Sequence, residues 1–378
     1  MTTDYDIAIC GGGPVGLALA LLLVKRGLPA SRIAVIDAKP VEQATQDPRS
    51  IALSFGSRQI LEQIGAWPLA ASEIHQIHVS RRGHFGRTLI TREEHGVPAL
   101  GYVTRYGTLV TALAKELQRT SVDSLRPAHV TRSTDHAGEV ELQFDDRTPL
   151  TAQIMVQAEG GAFSDQAEKS IRRDYRQTAI IAHVDVSAAI AHRAFERFTA
   201  EGPLALLPQD DGYALVWCVR PDTAAQLQTL SDAAFLAELG SAFGSRLGRF
   251  TSVTPRAAFP LGLNAQNTVS ARTVAIGNAA QTLHPVAGQG LNLGLRDAIV
   301  LAQLLSREIS PGSLQRFVTQ RQSDRSLTIR ITDTMAQIFA SAPDGALTQA
   351  MLGVSLGLVD AIKPAKRLLA EQMMFGKR

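Results

Sequence analysis

Apolar positions along the chain fall into short solid runs near the N-terminus. Asp6-Ile7-Ala8-Ile9-Cys10 reads as a buried strand, Leu17 to Val24 as an apolar helix closed by Gly27, and Ile33-Ala34-Val35-Ile36 as a second strand ending at Asp37. A helix over Ser57 to Ile64 follows, and Ile74, Ile77 and Val79 mark a strand-like, basic stretch within 71–98. Leu109, Leu113 and Leu117, spaced i, i+4, i+8, predict an amphipathic helix over 108–119. The period then drops to two, with Val140, Leu142 and Phe144 on one face of a strand over 139–144. Gln153 to Val156 is strand-like, and Thr178 to Val186, Pro203 to Leu207 and Tyr213 to Val219 suggest antiparallel sheet. A short helix containing Ala233 to Leu236 ends near Gly240. Thr273-Val274-Ala275-Ile276 forms a late strand, and from Leu291 on the pattern is mostly helical.

The 378 residues allow two domains or one large one, and 45% hydrophobic content suits a globular core. A net charge of +3 implies no nucleic-acid partner; basic character is local, at Arg172-Arg173 and from Lys363 to Arg378. Cys10 and Cys218 lie in apolar runs without metal or redox spacing, as expected of small core residues in a reducing, cytoplasmic setting. The apolar run after Gly16 lacks the basic leader of a signal peptide and is too short to span a bilayer. No internal repeat is evident.

Chemistry concentrates in two loops. In the first, Gly11, Gly13 and Gly16 fit G-x-G-x-x-G, with Pro14 and Val15 at the helix start and Asp37 at the end of the second strand. The first glycine makes the turn, the second admits a pyrophosphate, the third lets helix and strand pack, and the acid binds a ribose. In the second, Gly277 to Asp297 joins a strand to a helix through Pro285, Gly288, Gln289 and Gly290. A helix start offers free N–H groups and partial positive charge, a seat for an anion. The loops lie far apart in sequence yet would bind one cofactor, so the sheet-rich middle reads as a domain inserted into the first.

The two motifs in this order resemble the group A flavoprotein monooxygenases. Asp47-Pro48-Arg49-Ser50-Ile51-Ala52-Leu53 resembles the Arg-containing stretch of the ubiquinone-biosynthesis hydroxylases within them. Arg81 to His84, Ala194 to Thr199, Gly202 to Pro208, Leu215 to Cys218 and Ser241 to Gly244 resemble the bacterial 2-polyprenyl-6-methoxyphenol hydroxylases. So does Gly277 to Asp297, with Asn278 where the wider group usually has Asp.

The resemblance implies an α/β fold: a Rossmann-like FAD-binding domain (1–72, 99–177 and 262–345), an inserted β-rich substrate domain (73–98 and 178–261) and a helical C-terminal tail (346–378). It implies FAD as cofactor and NAD(P)H as a transient reductant, since only one dinucleotide fingerprint is present. It also implies hydroxylation of a polyprenyl phenol by O₂ through a flavin C4a-hydroperoxide. Asp37 would contact the FAD ribose or else be a strand-end surface acid, and Arg49 would contact FAD or else form a surface ion pair. Asn278 would meet the pyrophosphate or ribityl chain, the Gly288-Gln289-Gly290 backbone would face the reduced ring, and Leu291 and Asn292 would also bind the cofactor. His284 and Pro285 would lie beside the flavin, His284 either as a packed or capping residue or as a proton relay; no sequence pair identifies a base. Glu159, in Ala158-Glu159-Gly160-Gly161, stands where the group usually has Asp, which bears on nucleotide affinity. Trp217 and Phe195 either line the aromatic site or pack the core, and Arg81, Arg82 and His84 read as a solvated edge. Other flavin reactions on an aromatic or isoprenoid substrate, or a non-catalytic scaffold role, stay open as alternatives.

Ala346 to Ile362 is largely apolar and passes into Lys363, Lys366, Arg367, Lys377 and Arg378. Such a tail suits docking on an anionic membrane surface, packing on the first domain, or contact with other ubiquinone-biosynthesis proteins.

Overall fold

The computed structural model describes residues 3–47, 49–82, 87–160, 171–265, 270–284 and 288–340, together with 371, 374 and 375. Tyr5–Cys10 sits inside a seven-stranded mixed sheet. Ile33–Ile36 and then Asp123–Leu125 extend the sheet in parallel on one side, and Leu150–Gln157 pairs in parallel on the other. The far edge of Leu150–Gln157 is shared. Val140–Phe144 runs antiparallel to its start and carries Val130–Asp135 outside it, while Thr273–Ala275 runs parallel to its end. Ile7, Ile9, Ile33, Val35, Ile154 and Val156 are all fully buried, as parallel strands covered on both faces require. Helices Pro14–Lys25, Tyr106–Leu117 and Gln289–Leu305 cover one face through Leu19, Leu22, Leu109, Leu113, Leu295 and Leu301.

A nine-stranded sheet forms the second layer system. Its order is Gln281–Thr282, Ala257–Ala265, Ile171–Val186, Gly212–Val219, Pro203–Gln209, Arg193–Phe198, Gln76–Arg81 and Arg87–Thr91, with Phe250–Val253 also pairing with Ile171–Val186. One face buries Ile180, Leu204, Phe195 and Trp217 beneath helices Pro221–Thr229 and Asp232–Phe243, through Leu227, Phe235, Leu239 and Phe243. The opposite face turns toward the first sheet. There Ala194 and Ala214 pack on Ile74 and Val103 of a small three-stranded sheet, Ser50–Ser54, Gly101–Arg105 and Ser72–Ile74.

The large sheet reaches beyond the expected 178–261. Ile171–Val186 and Ala257–Ala265 pair from Ile171↔Ala265 to Ile181↔Ala257, with one register shift between Asp174 and Gln177, so both strands cross the expected boundaries, and Gln281–Thr282 adds a further edge. A ladder of backbone hydrogen bonds keeps a strand whole where sequence composition changes. Phe195 and Trp217 pack the helix-covered core, not a ligand face. Arg81 is buried at 9% exposure, which corrects the reading of a solvated edge there; His84 lies outside the described residues.

Candidate active site

The parallel strands of the first sheet all end at one edge, where three chain segments cross. The Gly11 N–H donates to Ile36 O (2.7 Å), the Ala158 N–H to Cys10 O (2.7 Å) and the Ile276 N–H to Gln157 O (2.9 Å). The glycine loop, the segment with Glu159 and the Gly277 loop are therefore neighbours, at the carboxyl ends of strands where open α/β sheets bind ligands.

Gly11 and Gly16 of the first loop each have a steric reason. A Cβ on Gly11, whose φ is +118°, would lie 2.5 Å from the Ala158 carbonyl carbon, and one on Gly16 would lie 1.9 Å from Gly11 O. A Cβ on Gly13 would meet only the Tyr106 hydroxyl, at 3.1 Å. Asp37 clamps the loop: Oδ2 accepts from the Gly12 N–H (2.7 Å) and Oδ1 from the Lys39 N–H (2.8 Å). Arg126 backs this clamp. Its guanidinium lies 3.7 Å from Asp37 Oδ2 and donates to Gly12 O (3.2 Å) and Lys39 O (3.0 Å).

Arg49 reaches the same corner. Its side chain pairs with Asp47 (2.7 Å) and lies over the rings of Tyr106 (5.2 Å) and Phe259 (5.9 Å). The Asp47 hydrogen bond raises the Arg49 pKa, so it stays a cation. Glu159 is exposed, yet desolvation by its surroundings and then the like charge of Asp37 hold its carboxyl above the usual carboxylate range.

The second loop meets the first through Val15. A Cβ on Gly294 would lie 2.7 Å from Val15 Cγ2 and 3.1 Å from Gly277 Cα, so only glycine permits this helix crossing. Gly288, at φ +59°, opens helix Gln289–Leu305. Asn292 fastens the loop with its whole amide: Nδ2 donates to Gly288 O (2.7 Å) and Ala52 O (3.0 Å), while Oδ1 accepts from the Ser54 N–H (2.8 Å) and Ser57 Oγ (2.7 Å). Gln289 is buried, and Gly290, Leu291 and Asn278 are half-buried around it. A Cβ on Gly290 would make ordinary contact with Asn278 Oδ1 at 3.8 Å. Asp297, fully buried, anchors the helix by accepting from Arg321 and Arg325 (2.8 Å each) and from the Gly277 N–H (3.3 Å).

His284 is packed. Only 1% exposed, it shares a hydrogen bond with Gln177 Oε1 (3.0 Å) and meets Tyr175 edge-on at 5.3 Å. Burial pushes its pKa down to about 4, so the ring is neutral near pH 7. Pro285 lies outside the described residues.

Both helix starts are uncapped. Neither Gly13 nor Gly288 offers a side-chain hydrogen bond, and neither first turn holds an acid. Two buried, glycine-opened helix starts meeting at one edge leave backbone N–H groups for an anionic ligand. A pyrophosphate at the first and an electron-rich ring at the second fit that donor set.

A family model described as FAD binding domain matches residues 4–328. The chain belongs to that family. It is an FAD-dependent monooxygenase. It is 32% identical over 384 residues to ubiquinone hydroxylase UbiL of Rhodospirillum rubrum, covering 98% of this chain and 89% of that one. Identity is also 32% over 346 residues to the 3-demethoxyubiquinol 3-hydroxylase of Escherichia coli K12, covering 84% and 86%. The crystal structure of p-nitrophenol 4-monooxygenase PnpA from Pseudomonas putida DLL-E4 shares the fold, with a TM-score of 0.77 over 100% of both chains at 16% identity.

Within this FAD-binding family fold, the structure brings Gly11, Gly13, Pro14, Val15, Gly16, Asp37, Arg49, Glu159, Asn278 and Gly288 to Asn292 to one edge. Arg126 and Tyr106 went unread in the sequence. Arg126 is separated by 114 positions from Gly12, and no spacing signals it.

Proposed function

We propose that this chain hydroxylates the aromatic ring of a polyprenyl phenol in ubiquinone biosynthesis. FAD, when bound, would supply the redox chemistry that joins NAD(P)H and O₂ to ring hydroxylation. Asp37 and Arg126 fix the loop that would receive the pyrophosphate, Arg49 would stand beside it, and the Gly288–Gly290 N–H groups would stabilise negative charge on the reduced ring.

One observation carries the substrate assignment. On the large-sheet face turned toward the second loop, Val79, Ala205, Val216 and Ile181 form a half-buried floor that is apolar apart from Glu196. Beside it Ile77 packs with Leu100, Met374 and Phe375, so the adjoining wall is apolar too. An apolar cleft suits an alkylated ring and is indifferent to a carboxylated one. The names of the relatives UbiL and the Escherichia coli hydroxylase point to the same substrate class.

The test compares NADPH-dependent turnover of 2-geranylphenol, phenol and 4-hydroxybenzoate by FAD-loaded protein. The prenylated phenol is expected to be preferred at least tenfold in kcat/KM. Preference for 4-hydroxybenzoate overturns the assignment. A substrate of this kind resides in a bilayer, and the apolar-to-basic composition of the tail after residue 345 supports docking at a membrane surface as part of this reading.

A further inference from the structure

The floor of the cleft holds one charged side chain. Val79 pairs with Glu196, Glu196 with Ala205, Ala205 with Val216, and Val216 with Ile181, which makes a single row across five strands. All these residues are half-buried, whereas Phe198, Cys218 and Ala179 in the next row are buried. A row that keeps solvent access beside a buried row, on the face turned toward the flavin loop, faces open space. Strand alternation fixes the side: Phe195 enters the helix-covered core, so Glu196 points the other way. The same face carries Gln177, which binds His284, and Phe259, which lies under Arg49. Glu196 therefore belongs to the face shared with the flavin loop.

Among the described residues the Glu196 carboxylate has no hydrogen-bond or ion-pair partner, unlike Asp37, Asp297 and Asp324. Its neighbours on the strand, Arg193 and Arg197, point to the other face, where they bind Gln76 Oε1 (2.8 Å) and Ala242 O (3.2 Å). His78 and Arg246 lie there as well, 3.4 Å apart. On its own face the titratable neighbours are Cys218, whose thiol is driven up first by burial and then by Glu196, Arg81 at the strand end, and His183 on the Ala214 row. None contributes to the state of Glu196: burial alone raises its pKa to about 7. A carboxylate without a partner in an apolar cleft is a group kept for a ligand.

We infer that Glu196 is the general base of the hydroxylation, a role that rests on the phenol assignment above. Its carboxylate takes the proton of the substrate O–H; that bond breaks and an O–H bond forms on Glu196. The phenolate so formed pushes charge onto the ring carbons and makes one of them nucleophilic toward the electrophilic oxygen that O₂ and reduced FAD supply. The oxygenated carbon then loses its own proton to water, and Glu196 returns the stored proton to the former phenol oxygen. Glu196 ends as it began, and no electrons pass through it. His284 is a poor proton acceptor by comparison, since its ring is buried, held by Gln177 and has its pKa pushed down to about 4 by burial. A base whose pKa lies near the working pH satisfies both protonation state and driving force.

The experiment uses FAD-loaded wild type, Glu196→Gln and Glu196→Asp, each checked for flavin content and for the rate of flavin reduction by NADPH. Hydroxylation of 2-geranylphenol and of its more acidic 3,5-difluoro analogue, which leaves both reactive ring carbons bearing hydrogen, is followed from pH 5.5 to 9. Wild-type kcat is expected to rise through an apparent pKa near 7. Glu196→Gln is expected to lose at least 30-fold on 2-geranylphenol at pH 7, to lose that rise, and to recover at least tenfold on the difluoro analogue, with flavin reduction unchanged. Glu196→Asp is expected to fall between them. Activity of Glu196→Gln within threefold of wild type overturns the inference. So does a loss that is equal at every pH and for both phenols, which marks a structural role. Wild type that reduces its flavin but hydroxylates neither phenol overturns the phenol assignment itself, an outcome visible without any variant.

Discussion

Asp37 holds the glycine loop before any ligand arrives, through the Gly12 and Lys39 N–H groups and Arg126. Asp37→Ala is expected to raise the dissociation constant for FAD about 10- to 100-fold, the worth of a charge-assisted hydrogen bond, as read by flavin fluorescence. Gly16→Ala is expected to cost more, because its Cβ would lie 1.9 Å from Gly11 O and both partners are backbone. A loss of about 2–3 kcal/mol and of bound flavin should show in thermal melts. The buried His284 gives a pH signature. Its folded pKa, about 4, lies below the ordinary 6.5, so the unfolded chain takes the proton first. Stability is complete above pH 6.5 and declines as pH falls toward 4, by about 3 kcal/mol from this residue. His284→Gln should flatten that part of the curve in urea unfolding. At this scale the sequence shows the groups with fixed spacing. Gly11, Gly13, Gly16 and Asp37 are legible from the strand-turn-helix pattern, but Arg126 and Glu196 come from remote segments, and only pairing across strands gives them a place.

Among the elements, helix Gln289–Leu305 carries the most consequence, since its start forms the second loop and its middle is tied down by charge. Asp297 is fully buried; burial raises its pKa, but Arg325 and Arg321 overcome that and hold it below the carboxylate range. Arg321 also pairs with Asp324, which binds Arg296. Asp297→Asn leaves two buried guanidinium groups short of countercharge and is expected to cost about 3–5 kcal/mol, with loss of flavin as the Gly277 N–H contact loosens. The depressed pKa makes the Asp297 contribution complete above about pH 4 and lost as pH falls below it. The amphipathic helix expected over 108–119 occurs at Tyr106–Leu117, and the strand expected over 139–144 at Val140–Phe144, because each has a clean period. Helix Pro221–Thr229 was not legible: it is short and mostly polar, and it buries only Ala224 and Leu227. Strand Ala257–Ala265 was missed as well, since Pro260 and Gly262 interrupt its pattern; pairing with Ile171–Val186 overrides both.

For the whole molecule, the sheet-rich middle was readable from its β-branched and aromatic runs over 178–219, which form strands of the large sheet. The cleft was not, because its floor is assembled from strands of separate segments. The chain's end joins it: Met374 packs with Ile90 and Leu100, and the Phe375 ring meets Phe55 edge-on at 5.9 Å. Residues 341–370 lie outside the described structure, and no described helix is long and apolar enough to cross a membrane. Removal of all residues after Pro343 is expected to reduce sedimentation with anionic liposomes at least fivefold. Unchanged sedimentation would show that the tail is not the docking element. The central claim is oxygen transfer to a prenylated phenol, and its most direct measurement is mass spectrometry of the product formed from 2-geranylphenol under ¹⁸O₂ with NADPH and FAD-loaded protein. The account predicts a catechol or hydroquinone carrying one ¹⁸O atom. NADPH consumption that yields only hydrogen peroxide, or a product reduced and free of ¹⁸O, would contradict it.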